Sequence, residues 1–469
     1  MSKIPDTVEM QVRDGEEGGT THDLLEMSRM GKHQVFKRNH HSISILGLAT
    51  VVTGTWLGML TNSSFSMLNG GRAGTTWTYL ATWLCTLTVA ASLGEMASME
   101  PTSGGQYHWV SVFAPPKAQR YLSYISGWLD ALGWQAFIAV AAFQAGNLIL
   151  ILVAESTPSY TQQPWHGTLM TVAVALFATA FNTFAARHLP MFEGMVLFFH
   201  FLGFFAILIP LWVLAPKASA SEVFGTFANY GGWTSTGAAC IVGQLASSAA
   251  FIDVETQIVE STAVYPFVDA FTVATGSRAG AIGMTVPIIV LSIAMCFNAT
   301  AAASRQAWAF AGDRGLPYSR MLSKITTINK TPIPANAMLA SLTMAIVLSL
   351  LILGGSQAFN SILGLVTGAV GLTYALGMAC FLWRRLYGDP LPHARWSLGR
   401  FGVPINIFAL LYEMFATVIC FFPLFASATA QSMNWAIAMF AGVAVLCTIY
   451  YVVSGRKVYQ GPVVKLRSL

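Results

Sequence analysis

The run RAGAIGMTVPIIVLSIAMCFNATAAASR, residues 278 to 305, carries no charged side chain between its two terminal arginines. About 20 apolar residues span a bilayer as a helix, and this run exceeds that length. Three further charge-free windows behave alike: Arg72 to Glu95, Asp130 to Glu155, and Glu413 to Arg456. Together they predict an all-α polytopic membrane protein. Composition leads the same way, since the 469 residues are 55% hydrophobic and 10% charged, with a mean hydropathy of +0.59. Globular chains carry about 25% charged residues, so this one cannot coat a water-facing surface of ordinary size. A soluble enzyme is excluded.

The formal charge of +5 does not point to nucleic acid, because the Lys and Arg residues lie between apolar runs, where they orient the chain in the bilayer. All six cysteines fall inside predicted spans and read as small apolar side chains, so no disulfide is expected. Residues 1–41 are polar and lack a signal peptide's apolar stretch; they read as a disordered cytoplasmic tail. A transporter domain at 42–455 and a short cytoplasmic tail at 456–469 complete the expected organisation.

Apolar runs between charged or turn-rich breaks give eleven spans, near 43–68, 75–96, 121–153, 167–186, 191–214, 235–258, 279–304, 335–353, 358–383, 403–426 and 433–454. In the first half nine basic residues fall on one side, six of them in the tail, against Arg72 and Lys217 on the other. In the second half thirteen fall on one side and none in the alternate loops. Both halves therefore place their basic loops in the cytoplasm. Eleven spans cannot satisfy both: span six ends inside near Glu260, the basic loop after span seven must also lie inside, and one crossing separates them. The connecting stretch STAVYPFVDAFTVATGSRAG, residues 261–280, offers an apolar part of about a dozen residues, or about 18 Å of helix against a core of about 30 Å. One crossing is missing.

The run SLGEMASMEPTSGGQYHWVSVFAP, Ser92 to Pro115, resembles the cytoplasmic signature of fungal permeases for amino acids, GABA and choline, within the amino acid–polyamine–organocation superfamily. Further matches are GTWLG from Gly54 and SMLNGG from Ser66, then FEGMVLFFHFLGFFAILIPLW from Phe192, YPFVDAFTVATGSRAGA from Tyr265 and SRQAWAFAGDRGLP from Ser304. The resemblance runs from about residue 40 to 455. It implies a twelve-helix fold of two inverted five-helix repeats whose first helices are broken near mid-membrane. Against that pattern the family's seventh helix, expected between Val264 and Tyr265, is absent.

Broken helices free backbone N–H and C=O groups for a ligand at mid-membrane. Thr53, Gly54, Thr55, Trp56 and Gly58 form the expected break in span one, since glycine costs about 1 kcal/mol in a helix interior. The competing reading is close packing, Gly54 and Gly58 being four apart. Freed amides would hold a carboxylate, and Trp56 could stack on a quaternary ammonium. In span six, Phe251, Ile252 and Asp253 occupy the resemblance's binding positions. There the family's glycine, aromatic and histidine are all replaced. Asp253 would meet a substrate amine or carry a proton, unless it lies at the cytoplasmic end of the span and is merely solvated.

Glu193 and His200, seven apart on one helical face, suit either a proton relay or structural hydrogen bonds. Ser103, Gly104 and Gly105 form the turn of a cytoplasmic loop, with Glu95 and Arg305 as gate-charge partners. No metal or cofactor is expected, because the histidines show no ligand spacing. The function expected is a proton-coupled permease for a small zwitterion or amine at the plasma membrane or vacuole. The alternatives are a transport-impaired or truncated chain lacking one helix, and a carrier of a specialised amine metabolite.

Overall fold

The computed structural model describes residues 42–157, 159–243, 265–351, 353, 356–429, 433–459 and 461–462. Backbone polar groups in lipid must find partners within the chain, and helices meet that demand. Among the described residues nine helices are long and apolar enough to cross a membrane.

In chain order, α1 (Ser42–Thr53), α2 (Thr55–Leu68) and α3 (Gly71–Met99) are followed by a short α4 (Gln106–Phe113). Then come α5 (Gln119–Ser156), α6 (Pro164–Phe184) and α7 (Leu189–Leu214). Two short helices, α8 (Ala220–Gly225) and α9 (Thr236–Gly243), precede α10 (Phe267–Thr275) and α11 (Arg278–Gly312). After α12 (Ser319–Leu322), a hairpin pairs β1 (Thr326–Ile328) with β2 (Thr331–Ile333), and α13 (Ala335–Leu351), α14 (Ser356–Tyr387), α15 (Gly402–Ile419) and α16 (Ala436–Tyr450) finish the chain. Asn329 and Lys330 turn the hairpin with positive φ, as a two-residue loop between twisted strands requires.

The long helix α5 is the centre, packed against α4, α6, α11 and α14. Small residues permit that closeness: a methyl group added at Gly127 of α5 would collide with the Phe310 ring of α11. The opposite extreme is α7, where Phe198, Phe201, Phe205 and Trp212 are exposed toward the lipid.

Two contacts place the ends of the middle segment. Gly243, at the end of α9, abuts the Asn69 backbone in the turn between α2 and α3. Arg278, at the start of α11, pairs with Glu155 at the end of α5 (3.7 Å). The rest of the expected span six, and its end near Glu260, lie outside the described residues.

Candidate functional site

Gly54 interrupts the first membrane segment where the sequence expects a break. Its φ of 48° and ψ of 36° are left-handed, a conformation that costs an L side chain roughly 1–2 kcal/mol and glycine little. The Gly54 amide still donates to the Thr50 carbonyl (3.0 Å), and the Gly58 amide donates to the Gly54 carbonyl (2.6 Å). Between those bonds the amides of Thr55, Trp56 and Leu57 open α2 without helical acceptors. They form the positive end of its dipole, midway along residues 42–68. Among the described residues a methyl group at Gly58 would meet nothing within 4 Å. At Gly54 the same group would lie 3.4 Å from Met295 Sδ, which places α11 behind the break.

Thr53 and Thr55 are exposed at the interruption. The Thr53 hydroxyl donates back to the Ala49 carbonyl (2.9 Å). Trp56 is half-buried and meets His200 of α7 edge-on, with centroids 5.5 Å apart and planes at 62°, while Phe204 lies at 6.0 Å. Its indole Nε1 has no hydrogen-bond partner. A cavity of about 480 Å³ opens beside it, walled by Met59, Leu60, Tyr79, Phe204 and Trp212, with Lys217 on the loop after α7. The space is apolar and open on the side where Trp212 is exposed.

Of the residues singled out in the sequence, Thr53, Gly54, Thr55, Trp56 and His200 come together here, with Gly58 one turn along α2. Phe251, Ile252 and Asp253 lie outside the described residues. Glu193 and His200 are both buried on the α7 face toward the core, but no hydrogen bond joins them, so no direct relay links them in this conformation. Where Glu193 sits, a methyl group on Gly47 would strike its backbone carbonyl, so α1 and α7 nearly touch.

Ser103, Gly104 and Gly105 lie in the turn between α3 and α4. Gly105, with φ of 54°, donates to the Thr102 carbonyl (3.2 Å) after Ser103 and Gly104. Beyond it the Tyr107 hydroxyl donates to Asp313 (2.9 Å). Burial holds that phenol well above its ordinary value, and the Asp313 charge adds to the effect.

The pairing of Glu95 with Arg305 requires correction. Glu95 is fully buried and accepts from Arg385 Nη2 (2.7 Å), the Ser397 hydroxyl (2.8 Å) and the Leu398 amide (3.1 Å). Arg305 instead feels the charge of Glu193 and borders a small cavity with Asn182, Ser304 and Lys330. Span ends set by hydropathy hide a distant cationic partner: Arg385 reads as the cytoplasmic end of a span, yet folds back under α3.

Sequence reading also passes over Asp130. It serves there only as the border of an apolar window, although the expected span at 121–153 contains it, as α5 does from Gln119. The signal available was a lone acid within SGWLDALGW, residues 126–134.

A family model described as amino acid permease matches residues 43–259 and 234–444. An uncharacterized amino-acid permease of Schizosaccharomyces pombe is 28% identical, covering 96% of this chain and 91% of its own length. The choline transporter of Saccharomyces cerevisiae is 26% identical over 89% of this chain and 81% of that protein. Amino-acid permease 2 of Neurospora crassa is 24% identical over 93% and 88%. The first of these alignments runs over 503 positions yet uses about 450 residues here (96% of 469), leaving about 50 positions unmatched in this chain, enough for a span of about 20 residues with its connections.

Proposed function

The chain belongs to the amino acid permease family, a multi-pass membrane transport protein and not an enzyme, and from that premise we propose a proton-coupled permease for a small amine or zwitterion that works by alternating access. Choline, GABA and amino acids are the substrates to try first. The observation that carries the reading is the break at Gly54, which sets the first amides of α2 beside Trp56 and an apolar cavity. The amides suit a carboxylate and the indole face suits an ammonium group. Together they describe both ends of an amino acid, while choline would use the indole alone. On this reading Asp253 and its neighbours complete the site from the segment after α9. The N-terminus faces the cytoplasm, and the membrane is plasma or vacuolar.

Radiolabelled uptake in cells stripped of their own permeases tests the proposal. Accumulation of choline, GABA or an amino acid, collapsing when the proton gradient is dissipated, is the expected result. A chain correctly placed in the membrane that moves none of them would defeat it.

A second reading has its own support. About 50 positions of the S. pombe relative have no counterpart here, more than the ~20 residues of one crossing, so the chain would insert and fold while alternating access is impaired. Sequencing the transcript across Val264 and Tyr265 separates the two readings: an in-frame segment recovered there restores a twelve-helix permease.

A further inference from the structure

Asp130 has no exposed surface, and among the described residues neither of its carboxylate oxygens has a well-aligned hydrogen bond, although the Gln306 and Trp134 side chains approach it. It stands eleven residues beyond the start of α5 at Gln119, which at 1.5 Å per residue is about 16 Å along the helix. No ion pair among the described residues includes it. The groups facing it come from four directions: Trp134 one turn along α5, Gln306 from α11, Tyr374 from α14 and Tyr107 from α4. The acids acting on that shell are Asp313, on Tyr107, and Glu413, itself a largely buried acid, on Tyr374.

An ionised carboxylate here would have lost its water, met no cation and faced other acids. Burying an isolated charge costs far more than burying the neutral acid. Gln306 offers only partial help, because its amide donates to the Gly127 carbonyl (3.4 Å) and its own oxygen is unpartnered. Ser126, on the same face one turn earlier, is also buried with a free hydroxyl oxygen. Tyr107, which feels the Asp130 charge, is hydrogen-bonded to Asp313 (2.9 Å), a half-buried carboxylate beside exposed Arg314 at the end of α11.

We propose that Asp130 is a proton-binding site, loaded while α5, α11 and α14 close around it and discharged toward Asp313 and the cytoplasm when they part. The site rests on the transport reading above for its purpose. One proton adds to one carboxylate oxygen and removes one negative charge; on release the proton passes to water and the charge returns. Coupling follows because the charged form cannot be closed over, so only the protonated carrier completes the packing change.

Infrared spectra of the purified full chain in lipid vesicles, recorded as pH is stepped upward, test the site directly. The carbonyl stretch of a protonated carboxylic acid is expected, fading at high pH, absent in Asp130→Asn and displaced in Gln306→Leu. Should Asp130→Asn fail to fold, Asp130→Glu still assigns the band by shifting it. A spectrum with no band that follows residue 130, or a band unchanged to the highest pH, overturns the proposal. In the same vesicles, radiolabelled GABA and choline are followed by counterflow and by uptake against a gradient. Asp130→Asn should keep counterflow but lose gradient-driven accumulation by about tenfold or more, and unchanged accumulation counts against coupling through Asp130. If the native protein moves neither probe, the transport reading fails, while the infrared result still decides whether Asp130 binds a proton.

Discussion

Arg385 reaches from the end of α14 to within 2.7 Å of Glu95 on α3, and the carboxylate it meets is fully buried. The same guanidinium lies 4.8 Å above the Phe381 ring, so its position is fixed from two sides. Ser397 and Leu398 add donors to Glu95. The cytoplasmic ends of two membrane helices and the loop before α15 are therefore tied at one carboxylate.

Removing one partner of a buried ion pair strands the other and costs about 3–5 kcal/mol. Arg385→Ala and Glu95→Gln are each expected to lower the thermal unfolding midpoint of the detergent-purified protein markedly. The double substitution should cost less than the two single effects combined. A full sum in that cycle would mean the two groups are not coupled.

The interruption in span one predicts an asymmetry between two glycines. Gly54→Ala forces a side chain into the left-handed region at roughly 1–2 kcal/mol and should depress uptake as the break is strained. Gly58→Ala meets open space and should leave stability within about 0.5 kcal/mol. Equal losses from both substitutions would return Gly54 to an ordinary packing role.

Trp56 distinguishes ligand contact from packing. If its face holds an ammonium group, Trp56→Leu should weaken half-saturation for choline by about 2- to 30-fold, corresponding to about 0.5–2 kcal/mol. Trp56→Tyr should recover part of that loss. An unchanged half-saturation with reduced protein abundance would assign Trp56 to its contacts with His200 and Phe204 alone.

A pH effect is expected on the outer side. The Ser219 amide and hydroxyl bond the Glu222 carboxylate and hold it below its ordinary value of 4.5, with Arg72 contributing. A carboxylate held low in the folded state stabilises above its unfolded value, and that contribution is lost as pH falls through the folded value. Acidification below 4.5 should therefore loosen α8 first. Protease cleavage at residues 219–225 measures this, and Glu222→Gln should be cleaved equally at both pH values.

Legibility differed by the range over which each cause acts. The membrane class and the position of most spans follow from local hydropathy, and Gly54 from the backbone freedom of one residue; both can be read without knowing the fold. The Glu95–Arg385 pair depends on where a distant loop returns, and the nearer-looking Arg305 is drawn to Glu193 instead. Asp130 fell inside the expected span at 121–153, yet one acid in an apolar run does not show whether it is paired until the neighbouring helices are placed. The charge balance predicts a missing crossing, and the segment on which that expectation falls lies largely outside the described residues.

That balance bears on how the protein enters the membrane at all. Dropping a lone traversal would turn every later loop upside down, sending thirteen positive charges to the wrong compartment. By the same count, those charges keep their side only where the number of passages before them keeps its parity.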